Sequence, residues 1–436
     1  MKISYLTYGF TKSRGGPTLL FNFARAVKNL SNASVEFHTI EDRKIRPRVQ
    51  VVSGVNTYFH QLAEPTLEIG TLKSLFKSLA TIVADTPYAG VLDSFSFFHI
   101  ITRLGPLRYS SHPRDLVELI KMLSLRSDIL HMGAATMPYV FLSATSKHER
   151  AKLVVHALFH PPFRALLDNI SLKKLIYATD AIYWRSASDF IKKYLDAITT
   201  STPYEMEMFK ALGCSKTFFV GEGVDLCYLE MKHRSTKPLA NNLRERLGRP
   251  LVLYVGARNL QKGYYHTLLA FEKLIKSGFK GRLICIGKKA PVPSETVIKI
   301  SSHALKAEER LKKDGFLIDF GPASEDIKFA AMQASDVIVL PSYVETIPLV
   351  FLEAWYFKKP AVGFRIPTLA SVIKKQGEGA FLVECGNIES LAETISFITS
   401  NQSYATEVGE EGSKKLKVFN LVKCAERLIK VYTSIE

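Results

Sequence analysis

Nowhere does the sequence approach the run of about 18 uninterrupted apolar residues that a membrane-crossing helix needs. Yet 47% of its residues are apolar, an ordinary share that excludes a mostly disordered chain. Cysteine is scarce and scattered, with five residues at positions 214, 227, 285, 385 and 424. No CxxC pair occurs, so neither a zinc site nor a disulfide framework is expected. Free thiols suit a reducing cytoplasm. Met1 to Phe10 has no extended apolar segment and no small-residue cleavage site, so no secretory leader is expected. Low-complexity tracts and short-period repeats are also missing. At 436 residues the chain exceeds one ordinary core, and two domains are expected.

Acidic residues are short relative to basic ones, 41 against 58, which leaves a net charge of +17. Such a charge attracts polyanions, whether nucleic acid, anionic lipid or phosphorylated substrates; a lysine-rich solvated surface is the plainer reading. A nucleic-acid-binding protein would cluster its cations with aromatic platforms. Here the charges are dispersed and no RNA-binding motif occurs, so no nucleic-acid partner is expected. Leu72, Leu75, Phe76, Leu79, Ile82 and Val83 recur at helical spacing, with Lys73 and Lys77 off that stripe. Such a helix suits either an anionic membrane surface or the cover of a core.

What is present is alternation. Ile3–Tyr8, Val35–Ile40, Val49–Val52, Asp128–Met132, Lys152–His156 and Asp196–Thr200 read as strands, with helical stretches among them. Thr202-Pro203-Tyr204-Glu205 has the form of a helix start with a capping box. Met231 to Pro250 is polar and basic with two prolines, and reads as a linker. A second alternation follows, with strands at Leu251–Val255, Arg282–Ile286, Phe316–Phe320, Val337–Leu340, Ala361–Phe364 and Ala380–Val383. Two such units predict parallel sheets covered on both faces, with ligands at the carboxyl ends of the strands.

The segment from Val337 to Trp355, VIVLPSYVETIPLVFLEAW, carries the most chemistry. A strand ends, a short loop holds Glu345, and Pro348 suits the first turn of a helix. The free N–H groups of Leu349 and Val350 would then suit a phosphate. Glu353 lies among apolar residues of that helix; it could accept from the vicinal hydroxyls of a ribose, or face solvent. The two glutamates stand eight positions apart. On a continuous helix that is about 12 Å. Paired hydrolase carboxylates stand about 5–9.5 Å apart, so two separate ligand contacts fit better.

Upstream, Gly256 to Gly263 reads GARNLQKG. Arg258 and Lys262 at a strand end suit a leaving diphosphate, with a basic surface turn as the alternative. His156 and His160 have HxxxH spacing, but the glutamate of HExxH is lacking and Pro161-Pro162 stops a helix. No metal is therefore expected. His156, at a strand end, is read either as structural or as a ligand contact; His131 and His160 are weaker candidates.

The Glu345-x7-Glu353 pattern after Leu-Pro-Ser resembles the signature of family 4 retaining glycosyltransferases of GT-B architecture. Lys359-Pro360 to Gly363, Ile366-Pro367, Gly321 with Ser324 to Asp326, Ala334 to Asp336, Gly379 to Val383 and Gly386-Asn387 are similar to the same family. So are Gly15-Gly16 and Gly223-Val224-Asp225. The resemblance is strong over 251–395 and looser over 40–125. It implies an α/β chain with two Rossmann-like doubly wound domains facing an interdomain cleft. The expected boundaries are 1–235 for the acceptor domain, 236–250 for the linker, 251–415 for the nucleotide-sugar domain and 416–436 for a helix returning to the N-terminal domain.

By the same resemblance Glu353 would bind the donor ribose and Glu345 would lie near the donor sugar. The backbone of Thr346, Ile347, Pro348, Leu349 and Val350 would meet the sugar and diphosphate, with Gly16, Arg258 and Lys262 beside them. His156 would face the sugar. The family pattern has Gly where this chain has Thr346, and Arg where it has Ala257. The implied reaction is sugar transfer with retention from a nucleotide-sugar donor to a lipid-linked or saccharide acceptor, without metal or other cofactor. A soluble-acceptor glucan synthase and a non-catalytic nucleotide-sugar-binding protein are the alternatives. The expected location is cytoplasmic, where the charge would meet the anionic inner face of the cell membrane.

Overall fold

The structure, a computed structural model, describes residues 1–8, 15–41, 48–61, 113–133, 151–157, 192, 195–289 and 298–436. The amphipathic stretch at 72–83 and His160 lie outside the described residues. The N-terminal sheet comprises β1 (Lys2–Tyr8), β2 (Ser34–Glu41), β3 (Arg48–Val52), β4 (Val55–Gln61), β5 (Ile129–Gly133), β6 (Lys152–Ala157), β7 (Ala197–Thr200) and β8 (Thr217–Phe219). Their order is β3-β4-β2-β1-β5-β6-β7-β8. Every neighbour is parallel except β3 against β4. That exception is a hairpin turned by Ser53 and Gly54, both at positive φ, as a two-residue turn between twisted strands requires. β4 and β8 were not expected from the sequence.

The second sheet is wholly parallel, in the order β11-β10-β9-β12-β13-β14. Its strands are β9 (Leu251–Val255), β10 (Arg282–Ile286), β11 (Leu317–Gly321), β12 (Val337–Val339), β13 (Ala361–Phe364) and β14 (Ala380–Val383). β9 and β12 are buried at every position, as strands covered on both faces must be. Helices α1 (Gly15–Leu30), α2 (Pro113–Arg126) and α3 (Pro203–Ala211) belong to the first unit. Helices α4 (Leu226–Leu247), α5 (Tyr264–Lys276), α6 (Ile298–Lys313), α7 (Glu325–Ala334), α8 (Leu349–Tyr356), α9 (Pro367–Val372), α10 (Ile388–Ser400) and α11 (Gln402–Lys415) follow. α12 (Leu421–Ile435) ends the chain. α3 starts with the capping box: Glu205 N–H donates to Thr202 Oγ1 at 3.3 Å, and Thr202 N–H donates to Glu205 Oε2 at 2.8 Å.

The stretch read as a linker at 236–250 is instead largely helical. It forms the second half of α4, which Asp225 caps by accepting from Tyr228 N–H at 3.1 Å. Pro238 lies inside this helix. It is tolerated because Leu229, Thr236 and Ala240 are buried, and the helix lies along α7. Tertiary packing has overridden a local breaker signal.

The chain passes between the two units twice, at neighbouring points. Val224 N–H donates to Phe419 O at 3.2 Å, and Leu421 N–H donates to Val224 O at 2.9 Å. A Cβ at Gly223 would stand 2.5 Å from backbone atoms of Asn420 and Leu421, so only glycine permits this approach. Beyond it α12 packs on α1 and joins the N-terminal core. Ala425, Leu428 and Tyr432 are fully buried there with Ile3 and Phe23. Tyr432 Oη donates to Tyr5 Oη at 2.8 Å and lies 2.5 Å from His131 Nδ1.

Leu428→Ala should therefore lower stability by about 2–5 kcal/mol, read as a reduced urea midpoint. A change within about 0.5 kcal/mol, the range of an exposed surface site, would contradict the packing of α12.

Candidate functional site

Two loops from adjacent strand ends build the site. The first follows β9. Tyr254 Oη donates to Ala257 O at 2.7 Å, and Asn259 Oδ1 accepts from Lys262 N–H at 2.8 Å. The second follows β12, and Tyr343 N–H donates to Gln261 O at 2.9 Å, tying the loops together. They come so close at Gly263, φ +68°, that a Cβ there would stand 2.0 Å from Pro341 O. The left-handed conformation and the missing side chain are both required. This approach brings Lys262 to Glu345. The ammonium lies 2.5 Å from Glu345 Oε1, which also accepts from Ser342 Oγ at 2.9 Å. Thr368 Oγ1 donates to Glu345 O at 2.7 Å and holds the loop from the side of α9.

Three residues after Glu345 the chain enters α8. Pro348 is its N-cap, and Phe351 N–H donates to Pro348 O at 2.9 Å. The amides of Leu349 and Val350 precede that first turn of bonds and have no acceptor within the helix. Both residues are half-buried, while Thr346, Ile347 and Pro348 before them are buried. Phe351, Leu352, Ala354 and Trp355 are completely buried, and Trp355 Nε1 donates to Gly379 O at 2.8 Å. This anchoring fixes the direction of the helix and leaves Glu353 off the core face. Glu353 Oε1 pairs with Lys328 Nζ at 2.7 Å, while its buried Oε2 has no hydrogen-bond partner. Ile347 is 1% exposed and turns its side chain into the core, so it offers only backbone here.

The structure treats the other expected residues differently. Arg258 is 3% exposed and does not present its charge to a ligand. Its guanidinium binds Asp319 on β11 through Nη1 at 2.8 Å and also through Nη2, which donates to Cys285 O at 3.2 Å. Glu308 stands 3.9 Å away and the Tyr264 ring lies beneath. A buried guanidinium with this set of partners is held by its ion pairs. Gly16 lies in the first turn of α1. His156, expected to face a sugar, is 3% exposed and has both ring nitrogens engaged. Nδ1 lies 2.9 Å from Thr199 Oγ1, and Nε2 lies 3.0 Å from Ser201 Oγ. Burial lowers its pKa to about 4, so the ring is neutral near pH 7. His131 lies in the core behind it, against Tyr432. Among the described residues no three His, Cys, Asp or Glu side chains are grouped as metal ligands would be.

Sequence reasoning passed over Glu222. Its side chain is buried at the junction of the two units, where Thr346 Oγ1 donates to Oε1 at 2.5 Å and the Ser201 hydroxyl is a second partner. Burial raises its pKa to about 7. The legible signal was a carboxylate set between two glycines, Gly221 and Gly223, just before a helix cap. Lys328 gave no comparable signal, being one lysine among many.

Residues 236–415 match the family model described as glycosyl transferases group 1. A D-inositol 3-phosphate glycosyltransferase from Corynebacterium efficiens is 24% identical over 218 residues, covering 49% of this chain and 50% of that protein. A Campylobacter jejuni N-acetyl-D-galactosaminyltransferase, named for an undecaprenol-linked acceptor, is 23% identical over 186 residues, covering 43% and 48%. The match thus spans about half the length of these curated relatives. The solved structure of Anabaena HepE in complex with UDP and glucose aligns over 100% of both chains, with TM-score 0.63 and 14% identity. Residues 236–415 are thus similar to the group 1 glycosyl transferases, and the chain as a whole has the GT-B fold.

Proposed function

We propose that this protein transfers a sugar from a nucleotide-sugar donor to a saccharide acceptor, with retention at the anomeric carbon. One observation carries the reading: Lys262, from the β9 loop, lies against Glu345 just before the N-terminus of α8. A cation beside free backbone N–H groups is what a departing diphosphate needs, because charge develops on the leaving group as the sugar–oxygen bond breaks. In the absence of anion Glu345 neutralises Lys262. An arriving diphosphate competes for the ammonium and frees the carboxylate beside the donor sugar. The unpartnered Oε2 of Glu353 is an acceptor suited to a ribose hydroxyl, with Lys328 holding the other oxygen. Leaving-group oxygen would take the acceptor proton on the same face of the sugar, which gives retention without a carboxylate nucleophile. Approach of the two units would exclude water from this step.

The net charge of +17 supports an acceptor carried at an anionic surface, and a lipid-linked saccharide is the reading we favour. The undecaprenol-linked acceptor in the name of the Campylobacter relative is consistent with it.

Three experiments test these statements. In a thermal-shift panel of UDP-, GDP- and ADP-sugars, at least one donor should stabilise the protein, by about 2.7 kcal/mol at a hundred times its Kd. Lys262→Ala should cut donor turnover by about a hundredfold or more. Glu353→Ala should abolish the stabilisation by the donor; unchanged binding and turnover in both variants defeats the site. Separately, the protein should sediment with anionic liposomes at low salt and release as salt rises toward 0.5 M; retention in the supernatant at every salt concentration would favour a soluble acceptor.

A further inference from the structure

One position at which the chain departs from the family pattern, Thr346 in place of glycine, is also where the C-terminal unit reaches across to the N-terminal one. Thr346 Oγ1 donates to Glu222 Oε1 at 2.5 Å, and both side chains are buried. Glu222 is in turn hydrogen-bonded by Ser201, whose Oγ lies 3.0 Å from His156 Nε2. His156 Nδ1 completes the line at Thr199 Oγ1, 2.9 Å away. The line joins the strand ends β6 and β7 of one sheet to the loop after β12 of the other.

We infer, on the basis of the function proposed above, that Glu222 is a positioning residue that fixes the loop carrying Glu345 and the start of α8 in register with the strand ends of the N-terminal unit. Thr346 directly follows Glu345 and lies two residues before the helix cap. A displaced Thr346 therefore moves both the carboxylate that holds Lys262 and the amides that would meet a diphosphate. Neither Glu222 nor Thr346 must touch the reacting atoms for this to matter, because misplacement of the site by about 1 Å can cost about a hundredfold in rate. Gly223, next in sequence, is the point of close approach between the two crossing segments, so Glu222 sits beside the place where the two units are tied together.

The acid faces Glu345 and Lys262 from the C-terminal unit, and Cys424 from α12. Arg427 of α12 donates to Val220 O at 2.8 Å and to Cys424 Sγ at 3.2 Å. His156 stands behind Ser201. Burial dominates over these charges in raising Glu222, with Glu345 adding to the rise and Lys262 opposing it. The folded protein thus holds a proton to about pH 7 that the unfolded chain releases near the ordinary carboxylate pKa of about 4.3. Stability from the neutral acid is complete below the lower value and is lost as pH rises through the higher one. The buried histidines, lowered by burial, act in the opposite direction, so the quantity to follow is the difference between wild type and Glu222→Gln.

The test combines that difference with donor turnover by wild type, Glu222→Gln, Thr346→Val, Thr346→Ser and the Glu222→Gln/Thr346→Val double variant, using UDP-, GDP- and ADP-sugars. The Tm of wild type should fall relative to Glu222→Gln between about pH 4.3 and 7. Glu222→Gln and Thr346→Val should each lower kcat by about ten- to a hundredfold, with much smaller changes in KM. Thr346→Ser should recover most of the kcat lost in Thr346→Val, and the double variant should be no worse than the poorer single one. Thr346→Val with the kcat of Thr346→Ser, multiplicative losses in the double variant, or a Tm difference flat with pH each overturn the positioning role while leaving the proposed function standing. Wild-type protein that turns over no nucleotide sugar sinks the proposed function and this role together.

Discussion

The site depends on one close approach, that of Gly263 to the carbonyl of Pro341. Two strand-end loops of a parallel sheet are drawn together there until no side chain fits between them. The approach places Lys262 at 2.5 Å from Glu345, and Glu345 three residues before the cap of α8. A lysine, a carboxylate and a helix N-terminus are thereby concentrated at one point. The buried face of α8, from Phe351 to Trp355, keeps the helix aimed at that point. Remove the close approach and the same residues would be scattered along an ordinary sheet edge.

A second constraint acts between the sheets. The chain crosses the junction twice in adjacent positions, and the returning helix α12 completes the N-terminal core with Leu428 and Tyr432. The two units are therefore closely coupled where the segments cross, and α9 touches α3 farther out. Glu222 lies beside the crossing and binds Thr346 of the opposite unit.

Much of this was legible in the sequence because parallel strands buried on both faces are nearly continuous apolar runs. β9, β10, β12, β13 and β14 stand out for that reason, and the Glu345–Glu353 segment stands out as polar residues set among them. β4 was not legible, since VNTYFHQ mixes polar and apolar residues and its partner β3 is an exposed edge. The helix through Pro238 was hidden by a residue that usually ends helices, and only its packing on α7 reveals it. Arg258 shows the limit of reading charge by type: sequence places it at a strand end, but Asp319, distant in sequence, decides where the guanidinium points. Glu222 and Ser201 were missed for the same reason, because the hydrogen bonds that give them meaning run to residues far along the chain.

The most direct measurement is a crystal structure of the protein with whichever nucleoside diphosphate, UDP, GDP or ADP, stabilises it. The diphosphate oxygens should lie within hydrogen-bond distance of the Leu349 and Val350 amides and of Lys262 Nζ, with the ribose against Glu353. A nucleotide bound elsewhere, with Lys262 still paired to Glu345 and nothing at the start of α8, would contradict the account.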